Sequence, residues 1–463
     1  MRSWLLRTAV RRSLVDVRHV TPVRPGAARG PLADLYRQVE QEFGVLAPPV
    51  VLHSPEPTAL AACWAMLRES LVAGGRVDRA AKEAVAAAVS RSNTCPYCVE
   101  VHGSALRALA GAAEAAAVTG GRADEVTDPV VRDLTRWAGR AHLRDAADDR
   151  PFPPAHAPEI VGVVVTFHYI NRMVNVFLTD SPLPAFAPPT VRAWLLKLLR
   201  ATVRRTVALV HPPGAAAHRL PAAARPADLD WAQGDEPLAD AFARAYAAID
   251  RAGARALDAP VRAVVEAELD RWDGQPTGLS RSWTQPLVAV LPEADRPAAR
   301  LALLAALASY QVDDTLIADV RAGGLDDADL VALVAWASLA AARRIGARAW
   351  QDARAGHGVE AGHDARDGYD AQEGHDARGR HGVRAGHDVH AGLGVYPAAV
   401  DAPAGARCPV GPAAGADDRA AAPAGSGCPV APPARPDGRT GVGGPDGRAV
   451  TPADRPPVPP AAG

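Results

Sequence analysis

Between about residues 31 and 350, apolar positions recur at spacings of three and four, broken by Pro and Gly, and this periodicity predicts a succession of helices. Asp34 to Phe43 reads as one helix, stopped by Gly44 and Pro48-Pro49. Thr58 to Ala73 carries Leu60, Trp64, Leu67 and Leu71 on one face and ends at Gly74-Gly75. Asp78 is placed to cap a helix running to about Arg91. Asn93 or Thr94 is placed to cap the next, with Pro96 suited to its first turn. The alternation expected of strands is nearly absent, so an all-α protein is predicted.

Pro158 to Leu178 reads as one long helix, mostly Val, Ile and Phe. Its polar residues His168, Asn171, Arg172 and Asn175 share one face. The plainer reading is a solvent face. A surface stripe would more often be Glu and Lys, however, so His168 and Arg172 are kept as candidate pocket or interface residues.

A second helical half, 187–350, follows the proline-rich break at Ser181 to Pro184 and Pro188-Pro189. Pro237-Leu-Ala-Asp240 echoes Pro31-Leu-Ala-Asp34. Arg300 to Val320 also has the helix–break–helix shape of Lys82 to His102, with Asp313 and Leu316 where cysteines stand in the first half. A degenerate internal repeat is expected, with one live and one dead site. Residues 1–30 form a basic N-terminal segment, and 31–180 the domain that bears the motif described below. From 351 to 463 the chain turns to Gly-His-Asp-Ala-Arg runs and Pro/Ala/Gly stretches. That composition buries too little apolar surface to offset ordering entropy, so a disordered tail is expected. Its histidines, His357, His363, His375, His381, His387 and His390, read as repeat drift in preference to a metal site.

Composition narrows the function little. Net charge is −1 over 463 residues, so no global field draws in nucleic acid. Hydrophobic residues make up 48% but aromatics only 5%, an alanine-heavy balance that favours helix. No run of ~18 uninterrupted apolar residues occurs, and no membrane span is expected. Arg2, Arg7, Arg11 and Arg12 are not followed by a signal-peptide core. Five cysteines, at 63, 95, 98, 408 and 428, are too scattered for a disulfide framework. A reactive pair in a reducing, cytoplasmic setting fits them better.

The chemistry concentrates in Glu83 to His102. If the cysteines open a helix, Cys95, Cys98 and His102 fall at about 0°, 300° and 340° around its axis, on one narrow stripe. A free thiol is only about 3% thiolate at pH 7, and lowering its pKa by two units requires ~2.7 kcal/mol. A helix N-terminus, a histidine one turn on, and Glu83 to orient that histidine are all placed to contribute. The i,i+3 spacing keeps both sulfurs within disulfide reach. Structural zinc would lack a fourth ligand unless Cys63 supplied it. Covalent haem would need a histidine where Val99 stands, and a thioredoxin fold would need strands. An inert buried pair remains the bland alternative.

Glu-x11-Cys-x2-Cys-x3-His, preceded by Ser90-Arg-Ser-Asn-Thr94, resembles the alkylhydroperoxidase AhpD-like family of the carboxymuconolactone decarboxylase superfamily. The likeness covers roughly residues 50–120, more loosely to about 350. It implies an all-α, oligomeric dithiol oxidoreductase with no bound cofactor or metal, which reduces hydroperoxides or exchanges with a disulfide partner and is reset by an external dithiol. By position, Cys98 would form the sulfenic acid, Cys95 would resolve it, and His102 and Glu83 would relay protons. Tyr97 stands where some relatives carry histidine, so a proton route there is in doubt; Tyr97 and Asn93 are expected as site walls. Decarboxylases of the superfamily generally lack the cysteine pair. A scaffold protein that keeps the fold, or a lactone/decarboxylase-type member, is the competing reading.

Overall fold

Helices account for the periodic stretches, and no strand occurs among the described residues of this computed structural model, which are residue 10 and residues 14–144, 150–183 and 188–357. In the first half the main helices are α1 (Gly30–Glu42), α2 (Pro57–Leu67), α3 (Arg79–Ser92), α4 (Pro96–Leu109), α5 (Ala112–Thr119), α6 (Pro129–Ala138), α7 (Ala157–Phe177) and α8 (Pro189–Val207). The second half contributes α9 (Glu236–Ala256), α10 (Ala259–Arg271), α11 (Arg296–Leu307), α12 (Asp314–Ala322) and α13 (Asp327–His357). The histidines beyond His357, together with Cys408 and Cys428, lie outside the described residues.

Three local expectations are corrected. The helix expected over Thr58–Ala73 stops at Leu67 and continues as a π-turn, Arg68–Val72. There Ser70 donates its hydroxyl back to the Met66 carbonyl at 2.7 Å, competing with the regular backbone bond. The turn also carries a buried Arg68–Glu69 pair, 2.7 Å apart. Secondly, α1 begins at Gly30, because Pro31 fits a first turn that apolar spacing does not reveal. Thirdly, neither Asn93 nor Thr94 caps α4. Cys95 is its N-cap residue, and no side chain caps the helix. Thr94 takes a positive φ of 51°, folding the chain back so that Cys95 N–H donates to the Ser90 carbonyl at 3.0 Å.

Helices α7 and α13 cross at the centre. α2 packs on α9, α3 lies against both α4 and α7, and α8 runs across α4. Segments Pro154–Phe177 and Asp327–Trp350 are long and apolar enough to cross a membrane, but 94% and 83% of their most apolar windows are buried inside the fold. Every residue of α7 except Asn175 is buried, so its polar face is no solvent face.

Two glycines set the helix approaches. A Cβ at Gly346 of α13 would sit 2.4 Å from Val165 of α7, and one at Gly253 of α9 would sit 2.4 Å from Cγ of Trp336 on α13. The Trp336 contact involves the root of the indole, which cannot swing aside. Although alanine is the better helix former by about 1 kcal/mol, Gly253→Ala is expected to lower stability by about 2 kcal/mol through overpacking. Urea denaturation measures this, and a stabilised variant would contradict the close approach.

The Arg300–Val320 region forms the expected helix–break–helix. Asp313 caps α12 by accepting from Leu316 N–H at 3.0 Å. Asp313 thus holds the cap position that Cys95 holds in α4, and Leu316 the third helical position that Cys98 holds.

Candidate active site

The α3–α4 hairpin brings Glu83, Cys95, Cys98 and His102 together, all buried. Glu83 and His102 stand nineteen residues apart in sequence, yet His102 Nδ1 lies 2.7 Å from Glu83 Oε2. The other carboxylate oxygen accepts from Arg79 Nε at 2.8 Å, an i,i+4 pair along α3. Burial alone would raise the pKa of Glu83, but Arg79 and then His102 outweigh it and hold the group below its ordinary value. Glu83 is therefore a carboxylate, and the imidazole proton sits on Nδ1 facing it. Nε2 is left free to accept a proton. The ring also packs edge-on against Phe167 of α7, with centroids 4.5 Å apart.

Cys95 and Cys98 are free thiols close enough to influence each other, and the Asn171 side chain of α7, which donates to Ser90 Oγ at 3.1 Å, lies beside the Cys98 sulfur. The depressed thiol expected from sequence is not found at Cys98. Burial, and then its neighbour Cys95, push its pKa well up, with Asn171 offsetting only part. The resting site holds a neutral thiol, with the His102 side chain one turn along α4.

The two sulfurs border different cavities. Cys98 and His102, with Tyr97, Phe167, Ile170 and Leu199, line an almost wholly apolar cavity of about 120 Å³. Cys95 borders a wider, more open one of about 640 Å³ on the other side of α4. Tyr97 is a wall, as expected, and burial raises its pKa well above the ordinary tyrosine value.

Asn93, His168 and Arg172 do not touch the apolar cavity; they anchor the Cys95 turn from behind. The Asn93 amide lies 2.9–3.0 Å from His168 Nδ1, donates to Asn171 Oδ1 at 3.0 Å and accepts from Arg172 NH1 at 3.0 Å. Arg172 also donates to the Ala306 carbonyl at 2.8 Å, tying this turn to α11. Asn175, with no role expected from sequence, donates to the Asn93 carbonyl and to Ser309 Oγ, both at 3.0 Å. These are positioning residues. Sequence reading also missed Arg79, although its spacing to Glu83 is an ordinary helical ion-pair signal, and Phe167, which an apolar run cannot distinguish from its neighbours.

Burial keeps three histidines neutral. His53 and His142 are pushed down to about 4, and His168 falls well below its ordinary 6.5, burial coming first and Arg172 next for the latter two. Once unfolded, each takes a proton near 6.5, so between pH 6.5 and about 4 the unfolded chain binds more protons. Stability should therefore fall as pH drops through that window, by up to about 1.4 kcal/mol per pH unit for each histidine. Urea midpoints from pH 7 to 5 test this. His142→Gln should flatten the slope by about one proton's worth, and an unchanged slope would contradict a neutral, buried His142.

The comparisons agree with this geometry. The model of the carboxymuconolactone decarboxylase family matches residues 58–140, the span from α2 through α6 that holds all four residues. The chain is also 39% identical over 330 residues to the alkyl hydroperoxide reductase Rv2159c of Mycobacterium tuberculosis, an alignment covering 71% of this chain and 94% of that protein. This chain belongs to the AhpD-like family within the carboxymuconolactone decarboxylase superfamily. Membership accounts for the all-α architecture.

Proposed function

We propose that this AhpD-like protein reduces hydroperoxides through Cys95 and Cys98, favouring substrates with an apolar organic group. The observation that carries the proposal is that Cys98 and His102 wall the same apolar cavity while Cys95 stays in contact with Cys98 from outside it. His102 Nε2 takes the Cys98 proton, and Glu83, held by Arg79, stabilises the imidazolium. The thiolate attacks the distal peroxide oxygen, the O–O bond breaks, and the alkoxide leaves as alcohol with the proton from His102. Cys98 is now a sulfenic acid. The Cys95 sulfur displaces its hydroxyl as water, closing the disulfide after a two-electron oxidation. An external thiol reductant resets the pair, which suits a reducing compartment. In the same reading the second half is a degenerate copy, with Asp313 and Leu316 in place of the two cysteines.

The test is titration with an organic hydroperoxide followed by peptide mass spectrometry. The Cys95/Cys98 peptide should lose two protons rapidly, whereas Cys63, buried and pushed far above its ordinary thiol pKa, should stay reduced. Slow, equal oxidation of Cys63 and the pair would overturn the proposal.

A further inference from the structure

The open cavity beside Cys95 has a charge character that the peroxide step does not use. Arg91, Arg107 and Arg200 line it together with Cys95. None of the three guanidinium groups has an ion-pair partner among the described residues. The one carboxylate on the wall, Glu100, is taken up by Arg192 at 3.7 Å and by Ser181 Oγ at 2.9 Å. Arg91 lies over the Gly121 backbone, where a Cβ would collide with its guanidinium. Arg200 is held below its usual pKa by partial burial and then by Arg107 and Arg204, a crowding of like charge that an anion would relieve. Uncompensated cations around a concave opening concentrate anions there.

We infer that this cavity is the entry site for the reducing substrate, and that this substrate is a small thiol carrying a carboxylate, sulfonate or phosphate. The inference rests on the disulfide cycle proposed above and deepens it: oxidant and reductant reach opposite sides of α4. The donor thiolate attacks the Cys95 sulfur, which borders the open cavity. The Cys95–Cys98 bond breaks, and Cys98 leaves as a thiolate that is protonated through His102 by the proton the donor thiol gave up. A second donor thiol then attacks the donor sulfur held on Cys95. This releases the donor disulfide and the Cys95 thiol, completing a two-electron, two-proton reduction of the protein. Attack at Cys95 is favoured because Cys95 borders the open cavity and because the departing Cys98 sulfur is left on the side of His102, which can hand it a proton.

The test uses full-length protein oxidised chemically with diamide, so it runs whether or not peroxide forms the disulfide. Reduction rates per thiolate are measured with 2-mercaptoethanesulfonate, 2-mercaptoethanol and cysteamine, which carry negative, no and positive charge. The sulfonate should outpace cysteamine by about tenfold or more at low salt, the scale expected of electrostatic focusing. That ratio should fall toward one in high salt and in Arg107→Gln/Arg200→Gln. Acid-quenched intermediates should carry the donor on Cys95. A ratio near one in the unmodified protein, a ratio insensitive to both salt and the double substitution, or the donor found on Cys98 would each overturn the inference. If diamide-oxidised protein shows the charge preference but peroxide never closes the disulfide, the peroxide reading fails and the anion site stands.

Discussion

Cys98→Ser lowers organic hydroperoxide turnover by about 10³-fold or more, as removal of a nucleophile that carries a covalent intermediate should. The size of the effect follows from what surrounds the sulfur. Cys98 and His102 are the two side chains capable of proton and electron chemistry that share the apolar cavity with Tyr97. Tyr97 is held protonated by burial and by the neighbouring sulfurs. Serine is nearly isosteric, so the fold survives while the two-electron donor is lost. Steady-state peroxide consumption, with circular dichroism to confirm folding, measures it. Activity that survives the substitution would instead favour the lactone or decarboxylase chemistry known elsewhere in the superfamily, which does without the thiol pair.

Glu83→Gln is expected to cost about 10²–10³-fold in kcat with little change in KM, the range typical of impaired general acid–base catalysis. Glu83 does not line the substrate cavity; it acts through His102 and is a positioning residue. Its carboxylate fixes the proton on Nδ1 and compensates the imidazolium that forms when Cys98 ionises. The neutral amide does neither, and it leaves the Arg79 guanidinium facing an uncharged partner. Glu83→Asp should recover part of the loss, which a purely structural role would not predict. The substitution also has a signature in stability. The pKa of Glu83 is depressed, so its contribution is present above the ordinary 4.5 and is lost as pH falls through the lower folded value. Glu83→Gln should remove that acid-side loss, and a KM rise without a kcat fall would contradict the positioning role.

The catalytic stripe was legible in the sequence because its geometry is local. Cys95, Cys98 and His102 stand within eight residues; helical spacing puts Cys98 and His102 on one side, whereas Cys95, at the N-cap, borders the cavity on the other. Glu83 was offered by sequence as a partner for His102, but no local rule joins residues on two helices, so only the folded hairpin shows the 2.7 Å contact. The polar face of α7 was ambiguous for a physical reason. His168, Asn171, Arg172 and Asn175 look alike in sequence whether they meet water or one another, and only the packing of α3 and α11 around them decides. The π-turn at Arg68–Val72 was hidden because part of what holds it is tertiary: beside the local Ser70–Met66 bond, Glu69 accepts from the Gly214 and Ala216 amides of a distant loop. The thiol pKa was misjudged because spacing shows the helix terminus and the histidine but not the burial, and burial is the larger effect at Cys98.

The sulfur bordering the apolar cavity is proposed to meet the peroxide while its neighbour resolves it from the more open side. Cys95→Ser protein given one equivalent of an organic hydroperoxide, then dimedone, tests that division of labour directly. The account predicts stoichiometric dimedone labelling at Cys98 alone, with one equivalent of alcohol released. Labelling at Cys63, or peroxide left unconsumed with Cys98 still a thiol, would contradict it.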